Sequence, residues 1–243
     1  MTEHTAGHLP SGPGAHTTQI EPTQRPGGSN ILKGSDSITD KIREHFDVLD
    51  AGREQAYVLS RQVVRVSSQS IKSAHRRQFE DARSQLQEAA DLTAQMLAAL
   101  EDCLELRYGG FVADAQKEYA EAAITLAGIT DGELPSPEGL GVDYPAWLNG
   151  LAEAAGEFRR HCLDSIREDN IERAETVLGL MDDIYHLVMG FDYPNAISMG
   201  LRGRSDACRG FVERTRGDVT NALRQRRLEE KITTLEDLMG SRE

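Results

Sequence analysis

Two short acidic runs carry the residues best suited to chemistry. In K-E-Y-A-E-A-A, Glu118 and Glu121 stand three apart; in L-A-E-A-A-G-E-F, Glu153 and Glu157 stand four apart. On a helix each pair shares one face. Like charges at these spacings destabilise an isolated helix by about 0.2–0.5 kcal/mol, a cost that a bound cation or arginine partners offset. The flanks are small and apolar: Ala122, Ala123 and Ile124 follow Glu121, and Leu151, Ala152, Ala154, Ala155 and Gly156 surround the second pair. Small residues let helices approach closely, and carboxylates placed there lose water and need a metal, an arginine or a proton. Facing each other across two helices, the four would form an oxygen-rich site for a hard divalent cation, Mg²⁺ or alternatively Mn²⁺. Spacing alone does not decide this. The chain has 40 acidic residues, and Glu101/Glu105 and Asp164/Glu168 show the same separation.

Other chemistries find less support. No phosphate-binding G-x-x-x-x-G-K-[ST], nucleophile-elbow G-x-S-x-G, H-E-x-x-H or calcium-loop pattern occurs. Di-iron carboxylate bundles need Glu-x-x-His on two helices, and Asp183-x-x-His186 is a single copy with Asp; His186 reads as a helix-interior or interface residue. All-α nucleoside triphosphate pyrophosphohydrolases pair Glu-x-x-Glu with Glu-x-x-Asp. The first half is present and the second is not, which leaves that class as an alternative. Cys103, Cys162 and Cys208 lack C-x-x-C pairing, so neither a disulfide framework nor a thiolate zinc site is expected. No apolar run approaches the roughly 18 residues of a membrane span, and a cytoplasmic location is the expectation.

Charge is segregated along the chain. The net charge is −13, yet residues 61–77 carry five basic residues and no acidic one, and residues 199–228 carry eight Arg against three acids. Between them, residues 80–195 hold 24 acidic and 7 basic residues. This pattern suits an acidic site in a cationic surround, although solvated helix faces would produce it too.

The elements that must position these groups read as helices. Residues 1–36 hold four of the eight prolines and no apolar periodicity, so they form an expected tail in which His4, His8 and His16 could hold a metal only weakly. Ser37 with Asp40 resembles a capping box. The stripe Ile38, Ile42, Phe46, Leu49 then resumes at Val58, Val63, Val66 and Ile71, predicting one very long helix to about Ser73. A second helix carries Leu86, Ala90, Leu97, Leu100 and Leu104, and a third runs from Gly110 to Gly128. After a loop containing Pro135 and Pro137, a fourth spans Pro145–Arg167. Trp147 reads as a packing residue at its start. Asn170 caps a fifth that ends near Gly190. Pro194 opens a sixth with the stripe Ile197, Leu201, Cys208, Phe211, Val212, Val219, Leu223. The prediction is an all-α antiparallel bundle of about six to seven helices over residues 37–232, followed by a tail at 233–243.

Ser60-Arg61, Ser67, Ile71 and His75-Arg76 resemble the first-helix run of the translin family. Glu118-Tyr119-Ala120-Glu121-Ala122 is similar to the Glu-Tyr-x-Glu-Ala segment of its translin-associated factor X branch. Asp143-Tyr144, followed by residues 151–160, resembles the Asp-Tyr…Ala-Asp-Leu-Thr-Gly-Glu-Leu-x-Arg stretch. The resemblance runs from about Ile38 to Ile232 in the same element order. It implies a closed, barrel-like oligomer, usually an octamer, enclosing RNA. In the catalytic branch it implies a Mg²⁺-dependent endoribonuclease acting on single-stranded RNA. The branch's acidic positions fall on Glu118, Glu121, Glu153 and Glu157, with Glu153 standing where the family has Asp. Translin itself mainly binds RNA and single-stranded DNA, so a binding-only oligomer and a translin-like partner subunit are the companion expectations. On this reading Arg61, Arg65, Lys72, Arg76, Arg77, Arg202, Arg204 and Arg209 hold the RNA backbone without reading sequence. Inter-subunit salt bridges are an equal reading for Arg61 and Arg65.

Overall fold

The computed structural model describes residues 34–240. The expected tail lies outside them as far as residue 33, and so do its histidines. Ser35 and Asp36 already belong to α1 (Ser35–His75). Ser37 therefore sits inside the first turn, and the capping box with Asp40 does not form; Thr39 Oγ1 donates to the Asp36 carbonyl instead, at 2.9 Å. The helices that follow are α2 (Phe79–Ala98), α3 (Leu104–Arg107), α4 (Gly110–Ile129), α5 (Pro137–Leu140), α6 (Tyr144–Arg167), α7 (Ile171–Met189), α8 (Asn195–Ser198) and α9 (Leu201–Gly240). Six are long and three are single turns. No strand occurs among the described residues. The all-α bundle with a very long first helix is as the sequence predicts. None of these helices is long and apolar enough to cross a membrane.

The chain divides after Arg43 into two units. In the first, Ile38 and Ile42 are exposed and Arg43 pairs with Asp40. In the second, one core gathers Val63 and Val66 of α1, Met96 of α2, Val112 and Ile124 of α4, Leu151 and Phe158 of α6, Val177 and Met181 of α7, and Cys208 and Val212 of α9. A smaller cluster joins Ala74, Ala82, Leu126 and Ile129. Phe46 and Val58, counted in the apolar stripe, are exposed.

Three boundaries differ from the periodicity. The second helix ends at Ala98, and Leu104 lies in the separate turn α3 and is exposed. The sixth is broken: Met199 (φ 51°) and Gly200 (φ 88°) both adopt the left-handed conformation, which separates α8 from α9. Glycine takes this conformation without strain. The break gives Arg204, in the first turn of α9, a carbonyl to bond at Met199, 3.2 Å away. Finally, α9 continues through residues 233–240, within the segment expected as the C-terminal tail.

Two features fix α6 against α4. Gln116 and Asp143 exchange hydrogen bonds, Asp143 N–H to Gln116 Oε1 at 2.7 Å and Gln116 Nε2 to Asp143 Oδ2 at 3.1 Å. Nearly two turns into α6, Gly150 meets the α4 backbone directly: a Cβ built there would lie 2.7 Å from the Lys117 carbonyl oxygen and 2.9 Å from the Glu121 nitrogen. Only a residue without a side chain permits that approach. Trp147, at the start of α6, donates its indole N–H to the Pro135 carbonyl at 2.9 Å and packs on the core, the role expected for it.

Candidate metal centre

The close contact at Gly150 brings the acidic pairs together. Glu118 and Glu121 project from α4 and Glu153 from α6, and each offers a carboxylate oxygen within 4.8 Å of the others. Glu121 is 9% exposed, and among the described residues its carboxylate makes no hydrogen bond or ion pair. Burial, reinforced by the charges of Glu118, Glu153 and Glu157, pushes its pKa up to about 8. A buried carboxyl with no direct ion pair among the described residues, facing two further carboxylates, is a donor set that fits a hard, oxygen-seeking dication.

Glu157 behaves differently. Its Oε2 lies 2.6 Å from Nε2 of His75, the last residue of α1, whose side chain is 2% exposed. The hydrogen bond to His75 holds the Glu157 carboxyl below its ordinary range, against the opposing effect of burial, and the nearby Arg160 charge adds to the lowering. Of the four expected ligands the structure thus converges three, with the fourth tied to a histidine beside them.

Two cations complete the cluster. Lys117 Nζ donates to Glu118 at 2.8 Å and also to Glu153. Burial alone would lower the Lys117 pKa, but the hydrogen bonds and charges of Glu118 and Glu153 outweigh it and the net shift is upward. Arg204 Nε donates to Glu153 Oε1 at 2.6 Å. With all four carboxylates ionised, Lys117 and Arg204 leave a net charge of −2 among these six residues. That is the charge one divalent cation would balance.

The basic residues expected to hold nucleic acid divide into groups. Arg61, Arg65 and Lys72 are exposed on α1, and Arg76 is exposed just past its end. Spacings of four and seven keep Arg61, Arg65 and Lys72 within an arc of about 40° on one helix face, and none of the four forms a salt bridge among the described residues. Arg77, just past the helix end with φ 60°, pairs with Glu168. Arg202 and Arg209 are exposed on α9, with Arg209 3.9 Å from Asp206. Arg204 is drawn to the carboxylates instead. His186 is exposed beside Asp182 rather than interior, so the unmatched Asp-x-x-His pattern has no buried role.

Sequence reasoning overlooked Lys117, although its position four residues before Glu121 places both on one face of α4. It also overlooked the pairing of His75 with Glu157, which lie 82 residues apart on different helices.

No family model matches the chain. An uncharacterized protein of Methanocaldococcus jannaschii is 27% identical over 185 residues, spanning 75% of this chain and 82% of that protein. Among solved structures, AfC3PO in complex with duplex RNA is 31% identical, with a TM-score of 0.73 over 77% of this chain and 97% of that one. AfC3PO alone is also 31% identical, with a TM-score of 0.72 and coverages of 77% and 98%. Apo-NeC3PO, at 21% identity and a TM-score of 0.69 over 76% and 96%, shares the fold.

Proposed function

The chain belongs to the translin family, and from that premise we infer that it is a Mg²⁺-dependent endoribonuclease acting on single-stranded RNA within a closed oligomer. One observation carries the reading. Glu118, Glu121 and Glu153 converge from two helices, and the buried Glu121 carboxyl makes no hydrogen bond or ion pair among the described residues. All four positions of the catalytic branch are acidic here, which favours that branch over the binding-only one.

In the proposed mechanism Glu118, Glu121 and Glu153 hold the metal, and Mn²⁺ is the substitute. A bound dication supplies an activated water and stabilises charge on the scissile phosphate. Glu157 stays ionised through its hydrogen bond to His75 and is positioned to accept a proton at its carboxylate or to complete the donor set. Arg61, Arg65, Lys72 and Arg76 offer an unpaired cationic stripe for backbone phosphates, binding through charge rather than base identity. The AfC3PO complex with duplex RNA supports RNA as the ligand class. A single strand is the proposed substrate because its backbone bends freely toward a cluster recessed between two helices; single-stranded DNA is a further ligand. Exposed Leu228, Ile232, Leu235 and Leu238 on α9 support self-association, with an octamer as the proposed state and a translin-like subunit as a possible companion.

A second reading has its own observation. Lys117 and Arg204 already neutralise Glu118 and Glu153 as an ion-pair network, which suits an oligomer that binds RNA without cutting it. Labelled single-stranded RNA incubated with Mg²⁺, then with EDTA, and again with Glu121→Ala separates the two. Cleavage that requires both Mg²⁺ and Glu121 supports the nuclease. Binding without cleavage, or cleavage indifferent to Glu121→Ala, removes it. Light scattering tests the octamer.

A further inference from the structure

Away from the carboxylates, a cavity of about 290 Å³ opens between the end of α7, the 190–193 segment and the first turns of α9. Its α9 wall presents Arg202, Ser205 and Arg209, whose spacings of three and four put them on one helix face. Arg204, on a different face, is engaged with Glu153. Ser205 is 7% exposed, and its buried Oγ has no hydrogen-bond partner. A buried hydroxyl left unpaired is costly and calls for a partner. Phe191 and Tyr193 add exposed aromatic surface to the lining, and Asp192 and Asp206 add carboxylates, Asp206 lying 3.9 Å from Arg209.

We propose that this cavity is a binding site for a single nucleotide unit, a base joined through its sugar to a phosphate. Two guanidinium groups flanking a hydroxyl suit a phosphate, because guanidinium donates in a planar fork that matches its oxygens. Aromatic faces accept a base by stacking whatever its identity. The two carboxylates disfavour a bare anion but accept hydrogen bonds from sugar hydroxyls or exocyclic amines. Inorganic phosphate alone would thus leave the aromatic wall unused and face uncompensated repulsion. The volume lies near the lower end of small-molecule sites, roughly 300–1,000 Å³, enough for one nucleotide and not for a duplex. The inference stands apart from the carboxylate cluster and from whether the chain cleaves RNA.

Calorimetric titration of the full chain in EDTA with adenosine 5′-monophosphate, adenosine and inorganic phosphate tests it. The expected result is saturable binding of the monophosphate at one site per chain, with adenosine and phosphate each weaker by about tenfold or more. Arg202→Ala with Arg209→Ala lowers the affinity by a similar factor and Ser205→Ala by several-fold, while Glu121→Gln leaves it unchanged. A short single-stranded RNA that displaces the monophosphate identifies the occupant as a nucleotide of a strand; binding of both without displacement identifies a free mononucleotide. Absence of monophosphate binding overturns the proposal, as does affinity unchanged by the double arginine variant or abolished by Glu121→Gln.

Discussion

His75 and Glu157 join the end of α1 to the middle of α6 through a 2.6 Å contact between Nε2 and Oε2, with the other imidazole nitrogen buried and unpartnered. The bond ties Glu157, beside the group formed by Glu118, Glu121 and Glu153, to the end of α1. Because the Glu157 pKa is held down in the folded chain, the pair stabilises the fold above the ordinary carboxyl range. That contribution disappears as pH falls through the depressed value. His75→Ala is expected to cost about 1.5–3 kcal/mol at neutral pH, the range for a hydrogen bond to a charged group, and less in acid. Urea denaturation of the two proteins at pH 7 and pH 4 measures the difference; an equal loss at both would argue against the pair.

Gly150 is a point of direct backbone approach between α6 and α4. Gly150→Ala drives a methyl group into the Lys117 carbonyl and the Glu121 amide, neither of which can rotate away. Overpacking of this kind costs about 1–3 kcal/mol, and separating the helices here also spreads Glu153 from Glu118 and Glu121. Gly179, inside α7, has no atom within 4 Å of its built Cβ. Gly179→Ala is therefore expected to stabilise by about 0.5–1 kcal/mol, the ordinary gain in a helix interior. Thermal melts of both variants, with and without Mg²⁺, give the comparison. Gly150→Ala is the one expected to lose any metal-induced rise in Tm.

Most of the fold was legible in local periodicity, since every long helix carries an apolar stripe or an alanine-rich face, and α4, α6, α7 and α9 have Gly or Pro near an end. The convergence of Glu118, Glu121 and Glu153 was legible from small residues around acidic ones, because Gly150 and the neighbouring alanines are what let α4 and α6 touch. The break at Met199 and Gly200 was not. A single glycine after a methionine carries little signal, and the conformation is supported by tertiary bonds such as that from Arg204 to the Met199 carbonyl. Nor was the division of labour among the arginines legible: Arg202 and Arg204 look alike in sequence, and only the helical turn between them sends one to a cavity and the other to Glu153.

Glu121 sets the expected response to pH and metal. Its folded pKa of about 8 lies above the ordinary 4.5, so the metal-free folded chain retains a proton that the unfolded chain releases. This stabilisation is complete below the ordinary value and fades as pH rises through about 8. Glu121→Gln removes the titration and is expected to flatten the decline between pH 5 and 8 in EDTA. If Mg²⁺ binds here it must displace that proton, so binding to the natural chain is expected to release protons at pH 7 and to tighten toward pH 8. Calorimetry in two buffers of different ionisation enthalpy reads the proton release directly, and none is expected from Glu121→Gln.

Lys117 offers the sharpest test of what the cluster is for. Its ammonium, largely buried, bridges Glu118 and Glu153 and stands where a bound cation would compete for the same oxygens. Lys117→Met keeps much of the side chain's length while deleting the charge. If the carboxylates are a structural ion-pair network, the variant is simply destabilised, because breaking a buried pair leaves its partners uncompensated, and Mg²⁺ restores nothing. If they are a metal site, the same substitution lowers the Tm in EDTA but raises the affinity for Mg²⁺, since the dication then faces no resident cation on Glu118 and Glu153. The Mg²⁺-dependent rise in Tm is accordingly expected to be larger in Lys117→Met than in the natural chain, with the free energy following the logarithm of metal concentration over Kd. A rise that is absent from both proteins would leave the acidic cluster without a metal role.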